Sequence, residues 1–178
     1  LIIPPSYSRL PSEKLDGSIA AVQGLKGSVV KINLMSNRKL KSSFVKQSDS
    51  IQYLKTIGYK GSGSFKIKDD GEFSIHLVDQ RGITNRDPIP YKINVITDHY
   101  PIIKITNPAP VITLGNNQLI GFDIDIEDDY GFDNLQLAYE IIRPKYLNVE
   151  PYISMFIIPD IIKDTSYQNI KTPWNLSE

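Results

Sequence analysis

Apolar side chains at every second position recur in short runs along this chain, and that spacing limits what it can fold into. Val30, Ile32 and Leu34 alternate with Val29, Lys31 and Asn33. Phe65 and Ile67 alternate with Lys66 and Lys68. Phe73, Ile75 and Leu77 alternate with Ser74 and His76, and Tyr91, Ile93 and Val95 with Lys92 and Asn94. A period of two places each apolar set on one face of a strand. Residues 40–45 and 51–59 are further strand candidates. No segment of useful length carries the helical period. Composition agrees: 27 Ile, 8 Val and 7 Thr stand against 4 Ala, and β-branched side chains lose freedom in helices but pack well on a pleated sheet.

Turn signals separate the runs: Leu25-Lys26-Gly27, Gly61-Ser62-Gly63, Asp69-Asp70-Gly71 and Gln80-Arg81-Gly82. The Asp70-Gly71 pair predicts a tight hairpin between the Phe65 and Phe73 strands. About seven short strands in roughly 90 residues is the pattern of an immunoglobulin-like β-sandwich.

The alternation resumes after Pro101. Ile103 and Ile105 lead into Pro108-Ala109-Pro110. Ile120, Phe122, Ile124 and Ile126 alternate with Gly121, Asp123, Asp125 and Glu127. After the charged turn Asp128-Asp129-Tyr130-Gly131, Leu135, Leu137, Tyr139 and Ile141 alternate with Gln136, Ala138 and Glu140. Another strand is expected within 152–158, and the chain turns polar after Pro159. Four or five strands are too few for a seven-stranded sandwich, so this half reads as incomplete. The expected organisation is all-β, with two tandem immunoglobulin-like sandwiches over residues 1–98 and 99–178. Residues 1–98 carry 15 Lys/Arg and 9 Asp/Glu, net +6, and residues 99–178 carry 5 and 11, net −6. The split reads either as surface drift or as complementary charge between domains or between molecules.

Several function classes are disfavoured. The formal net charge is zero, where a general nucleic-acid binder would be basic. No cysteine is present, which removes disulfides, thiolate metal sites and cysteine nucleophiles. Two histidines leave little for a metalloenzyme or a Ser-His-Asp enzyme. No apolar run reaches 18 residues, so no membrane insertion by this stretch is expected. The chain starts at Leu1 rather than Met, which suggests a processed product or an excised piece.

Two stretches carry a family resemblance. Gly71-Glu72-Phe73-Ser74-Ile75-His76-Leu77-Val78-Asp79-Gln80-Arg81-Gly82 resembles the penultimate strand and Asp-x-x-Gly turn of a bacterial immunoglobulin-like domain, with Pro90-Tyr91-Lys92-Ile93-Asn94-Val95, Asp98 and Pro101 as its sequel in chained modules. Asp128-Asp129-Tyr130-Gly131-Phe132, followed by Leu135, Leu137 and Tyr139, resembles the immunoglobulin-like region of large, uncharacterised, membrane-anchored bacterial envelope proteins. In that family a segment like Pro173-Trp174-Asn175-Leu176 precedes a Pro-Gly-Asp turn and two final strands. The resemblance implies an extracytoplasmic, periplasmic or cell-envelope location. It transfers no catalytic residue, because the family has none established.

The acidic cluster Asp123, Asp125, Glu127, Asp128, Asp129 and Asp133 is the main candidate site, with calcium as its ligand. An EF-hand register starting at Asp125 places carboxylates at its first, third, fifth and ninth positions, then fails at Tyr130 and Gln136. The plainer reading is a solvated strand face and turn. A junction calcium site would draw on Asp79, Asp98 and Asp128 or Asp129. His76, with Ser74 two positions away, and His99 read as surface histidines. Gly58, Gly61 and Gly63 with Lys60 look only loosely like a phosphate loop, because a strand and not a helix follows. Arg38, Lys39, Lys41 and Lys46 form a basic stretch suited to anionic polymer or lipid headgroups, or simply a solvated edge. Tyr53 and Tyr59 could contribute to a sugar platform but fit ordinary sandwich positions.

The expected function is a non-enzymatic spacer or interaction module, with no cofactor apart from the calcium candidate. Its expected partners are proteins or other domains of the same parent chain. An open edge in the second domain could accept a strand from either source. The alternatives are a carbohydrate-binding sandwich or an accessory domain of a larger extracytoplasmic hydrolase.

Overall fold

A computed structural model describes residues 1–15, 20–48 and 50–176. The chain divides into two compact units, Leu1–Asp98 and His99–Glu178. The described residues are mainly strands, and the helical turns among them are the three-residue 3-10 turns Ser6–Ser8 and Lys145–Leu147.

Among its described residues unit 1 holds eight strands: β1 (Ile2–Ile3), β2 (Ala21–Leu25), β3 (Val29–Met35), β4 (Leu40–Gln47), β5 (Ser50–Ile57), β6 (Lys60–Lys66), β7 (Gly71–Asp79) and β8 (Pro90–Ile96). They form one ladder in the order β1-β3-β6-β5-β4-β7-β8-β2. The ladder doubles over at β5, which pairs with β4 up to Leu54 and with β6 from Lys55 to Ile57. Its two halves therefore face each other. The order on one side is β1-β3-β6-β5 and on the other β5-β4-β7-β8, which is the two-sheet arrangement of an immunoglobulin-like sandwich. β2 closes the second side by pairing in parallel with β8. Ile2, Val30 and Phe65 from one side meet Val22, Val45, Phe73 and Ile93 from the other, with Leu54 at the fold and Ile67 just past β6.

Gly61 and Gly63 sit where the doubled sheet is tightest. A Cβ on Gly61 would lie 2.5 Å from Ser43 Oγ, and one on Gly63 would lie 2.5 Å from Leu54 Cδ2. The glycines admit the close approach of β6 to β4 and β5. Gly58 (φ 61°) opens the two-residue turn between Ile57 and Lys60, as a primed hairpin turn requires. The Gly-rich stretch is thus a hairpin and a sheet corner.

Three expectations for this unit are corrected. Asp69-Asp70-Gly71 does not make a hairpin: β6 pairs with β3 and β5, while β7 pairs with β4 and β8. The segment crosses between the two sides. Gly71 does not adopt the left-handed backbone that an Asp-Gly hairpin needs. Instead Lys26 pairs with Asp69 at 3.3 Å, and the Asp70 carboxylate accepts the Val95 N–H at 2.6 Å. The run at 51–59 is not one strand, because it includes the turn at Gly58. Gly61-Ser62-Gly63 is not a turn between runs but part of β6. β1 and β2 show no alternation in the sequence.

Unit 2 holds β9 (Ile102–Asn107), β10 (Leu119–Glu127), β11 (Leu135–Ile141), β12 (Tyr152–Ile158) and β13 (Tyr167–Asn175). The sheet β13-β10-β9 packs on the hairpin β11-β12. Phe122, Ile124, Ile126 and Ile170 on the first layer meet Leu135 and Ile158 on the second, with Phe132 between. β13 corrects the expectation of a polar tail. It pairs with β10 over nine positions, Leu119↔Asn175 to Glu127↔Tyr167. Pro173 lies within it, which an edge strand tolerates because its outward N–H has no ladder partner to lose.

Candidate functional site

The acidic cluster is placed by β10 and the turn after it. Asp123 and Asp125 stand on the outer face of β10 because Phe122, Ile124 and Ile126 take the inner one. The Asn169 amide on β13 donates to both, at 2.7 Å to Asp123 and 2.8 Å to Asp125. The Tyr167 hydroxyl donates to Asp125 at 2.7 Å, and Lys171 pairs with Asp123 at 3.5 Å. The Asn169 amide and then the Tyr167 hydroxyl hold the Asp125 carboxyl below its ordinary range, and the same bond raises the Tyr167 phenol.

The other carboxylates point to separate partners. Asp128 accepts the Tyr130 N–H at 3.0 Å. Asp129 accepts from His99, through the ring at 2.8 Å and the backbone at 3.3 Å, and the ring contact lowers its pKa. Asp133 pairs with Lys163 at 3.0 Å. Glu127 lies exposed at the end of β10. Among the described residues no group of three or more His, Asp or Glu is arranged to hold a metal ion. Asp125, Glu127, Asp128, Asp129 and Asp133 share a stretch of chain but do not form a cage.

Asp79 is committed to its own loop. One carboxylate oxygen accepts the Arg81 and Ile83 N–H groups at 2.8 and 2.9 Å, and the other meets Arg38 at 3.2 Å. The Ile83 N–H is the main cause of its lowered pKa, opposed by burial and helped by Arg81 and Arg38. The Asp-x-x-Gly motif is therefore the turn that leaves β7, closed at Gly82 (φ 81°). Arg38 is drawn from the basic stretch into this pair. Lys39, Lys41 and Lys46 are exposed.

The outer face of β4, β5 and β7 carries a row of rings. Tyr53 and His76 flank Phe44 in the strand register. Phe44 and His76 are parallel within 3° at 4.9 Å, and Tyr53 leans on Phe44 at 5.6 Å and 55°. Ser74 Oγ lies 2.9 Å from His76 Nε2. Sequence spacing places Ser74 and His76 on one face, but the ring row appears only once the register is known. Each parallel ring covers a face of the other, so Tyr53 is the one ring of the row that lies largely open. Tyr59 sits apart from it, in the β5–β6 turn.

Unit 2 leaves part of its apolar sheet uncovered. Ile103 and Ile105 lie opposite Ile126 and Ile124 on the core-facing side of the sheet. Ile124 and Ile126 are buried, yet Ile103 and Ile105 are 55% and 49% exposed. The hairpin β11-β12 covers β10 and β13 and leaves β9 bare. β12 is apolar on both faces: Phe156 and Ile158 face the core, while Ile153, Met155 and Ile157 point outward at 72%, 64% and 64% exposure. Near-continuous apolar strands are typical of positions covered on both faces. Among the described residues β9, β11, β12 and β13 each have one strand neighbour.

Fold and topology define an all-β protein of two immunoglobulin-like sandwich units, the second with five strands among its described residues. No family model matches the chain, and comparison with curated proteins gives no match. Among solved structures, the fibronectin(III)-like modules of CbhA from Clostridium thermocellum are similar over 89% of this chain and 91% of theirs, at 16% identity and a TM-score of 0.35. That likeness is too loose to add to the strand order, on which the fold assignment rests.

Proposed function

We propose that this chain is a non-catalytic spacer and interaction module from the extracytoplasmic part of a large bacterial envelope protein of the kind it resembles. The interacting part is the open side of unit 2, and the partner is a strand of another protein or of another segment of the parent chain. One observation carries this reading. Ile103 and Ile105 continue the buried row of Ile124 and Ile126 and are left uncovered. A strand added beside β9 pairs its free main-chain groups and lets a further layer cover that row. The carbohydrate-binding alternative has one well-exposed ring in the aromatic row, Tyr53, where a sugar platform needs several.

The test compares hydrogen exchange of this chain with that of the complete parent protein. Amides within Ile102–Asn107 that exchange quickly here are expected to become protected in the parent or on adding its partner. If they exchange equally fast in the intact parent with its partners present, the open side is not an interface.

A further inference from the structure

A second opening lies in unit 1. Between residues 50–54 of β5 and 64–66 of β6 the doubled sheet parts, leaving a groove of about 670 Å³. Phe65 and Ile93 form its apolar floor, and the rim carries charges of both signs, Lys66 and Lys68 with Asp69, Asp70 and Glu72, beside Gln52. β6 pairs with β3 along its length but with β5 only at Lys60, Gly61 and Ser62. From Ser64 to Lys66 its groove-side edge has no strand against it among the described residues. In an antiparallel ladder the N–H and C=O of one residue point to the same neighbour. The Ser64 carbonyl points into the gap, where the Gln52 side-chain amide donates to it at 2.7 Å. A primary amide thus stands where the N–H of a further strand would lie.

We propose that this groove accepts an extended peptide, which pairs with the main-chain groups of Ser64 and Lys66 and displaces the Gln52 amide. The main-chain groups that no strand pairs among the described residues are spaced as a strand spaces them, which selects polypeptide over sugar or a small anion. Its side chains at alternate positions reach the floor of Phe65 and Ile93. This proposal is independent of the reading of unit 2, since it concerns a different edge.

The test uses the whole chain. A displayed library of random heptapeptides is selected on it, and the best-enriched sequence is synthesised as the probe. In an amide-resolved titration, the Ser64 and Lys66 N–H signals and the Gln52 side-chain signal are expected to shift. Gln52→Ala removes the competing amide and is expected to tighten binding. Ser64→Pro removes one pairing donor at an edge position and is expected to weaken binding at least about ten-fold. If Ser64→Pro does not fold, the titration and Gln52→Ala decide. The proposal is overturned if no peptide is enriched, if the shifts fall elsewhere, or if Gln52→Ala or a folded Ser64→Pro leaves affinity unchanged.

Discussion

Ile158→Ala is expected to cost unit 2 about 2–5 kcal/mol, the range for deleting a fully buried branched side chain. Ile158 is 1% exposed and lies among Phe122, Ile124, Ile126, Phe132, Leu135 and Ile170. A unit of 80 residues has only roughly 4–12 kcal/mol to lose. The substitution therefore removes a large share of its stability. Trp174 supplies the readout. It is the only tryptophan of the chain and packs on Tyr139 at 4.6 Å and Phe156 at 5.5 Å. Its fluorescence follows the unfolding of unit 2 in urea. Ile157→Ala is the control one residue away, on the outward face, with an expected cost within about 0.5 kcal/mol. Equal costs at the two positions would mean that the register of β12 is wrong, or that its outer face is covered in solution.

Gly61→Ala is expected to cost unit 1 about 1–3 kcal/mol through overpacking. The new Cβ would fall 2.5 Å from Ser43 Oγ and about 3 Å from the Leu34 side chain. Ser43 is fully buried, and its hydroxyl is held by Thr56 Oγ1 at 2.8 Å, so it yields only by breaking that bond. Replacing glycine also restricts the unfolded chain, which favours folding by about 0.4–1 kcal/mol, less than the clash. Ser62→Ala, on the exposed face of the same strand, is expected to stay within about 0.5 kcal/mol. The measurement is the part of the circular-dichroism transition that Trp174 fluorescence does not follow. Wild-type stability in Gly61→Ala would mean that the sheets do not approach as closely as this fold requires.

Strands with a strong period of two were legible from sequence. In β10 every second residue from Phe122 to Ile126 is buried, as the alternation with acidic residues requires. β3 and β7 were readable for the same reason. What escaped was set by partners distant in sequence. β1 is two residues long and exists because Val29 and Val30 pair with it. β2 has Gly24 in place of an inward side chain, so its alternation breaks where Ile67 and Ser28 crowd in. β13 hides its period behind Gln168 and Thr172, polar residues on its inward side, and behind Pro173. Asp70-Gly71 matches a hairpin turn locally, but β7 finds its partners in β4 and β8.

The candidate sites divide in the same way. Outward placement of Asp123 and Asp125 follows from the alternation, but their sharing of Asn169 depends on the unseen strand β13. Gln52 reaches Ser64 because β5 joins β6 only from Lys55 onward, and no local pattern marks that junction.

Residue-resolved hydrogen exchange on the intact chain bears most directly on the central picture of two doubled-sheet bodies with bare rims. β4 lies between β5 and β7, and β10 between β13 and β9. Successive amides through the middle of β4 and β10 should exchange slowly, whereas in β9 and β12 fast and slow amides should alternate. Uniform protection across Ile102–Asn107 and Tyr152–Ile158, or the i-to-i+4 pattern of a helix anywhere in the chain, would contradict it.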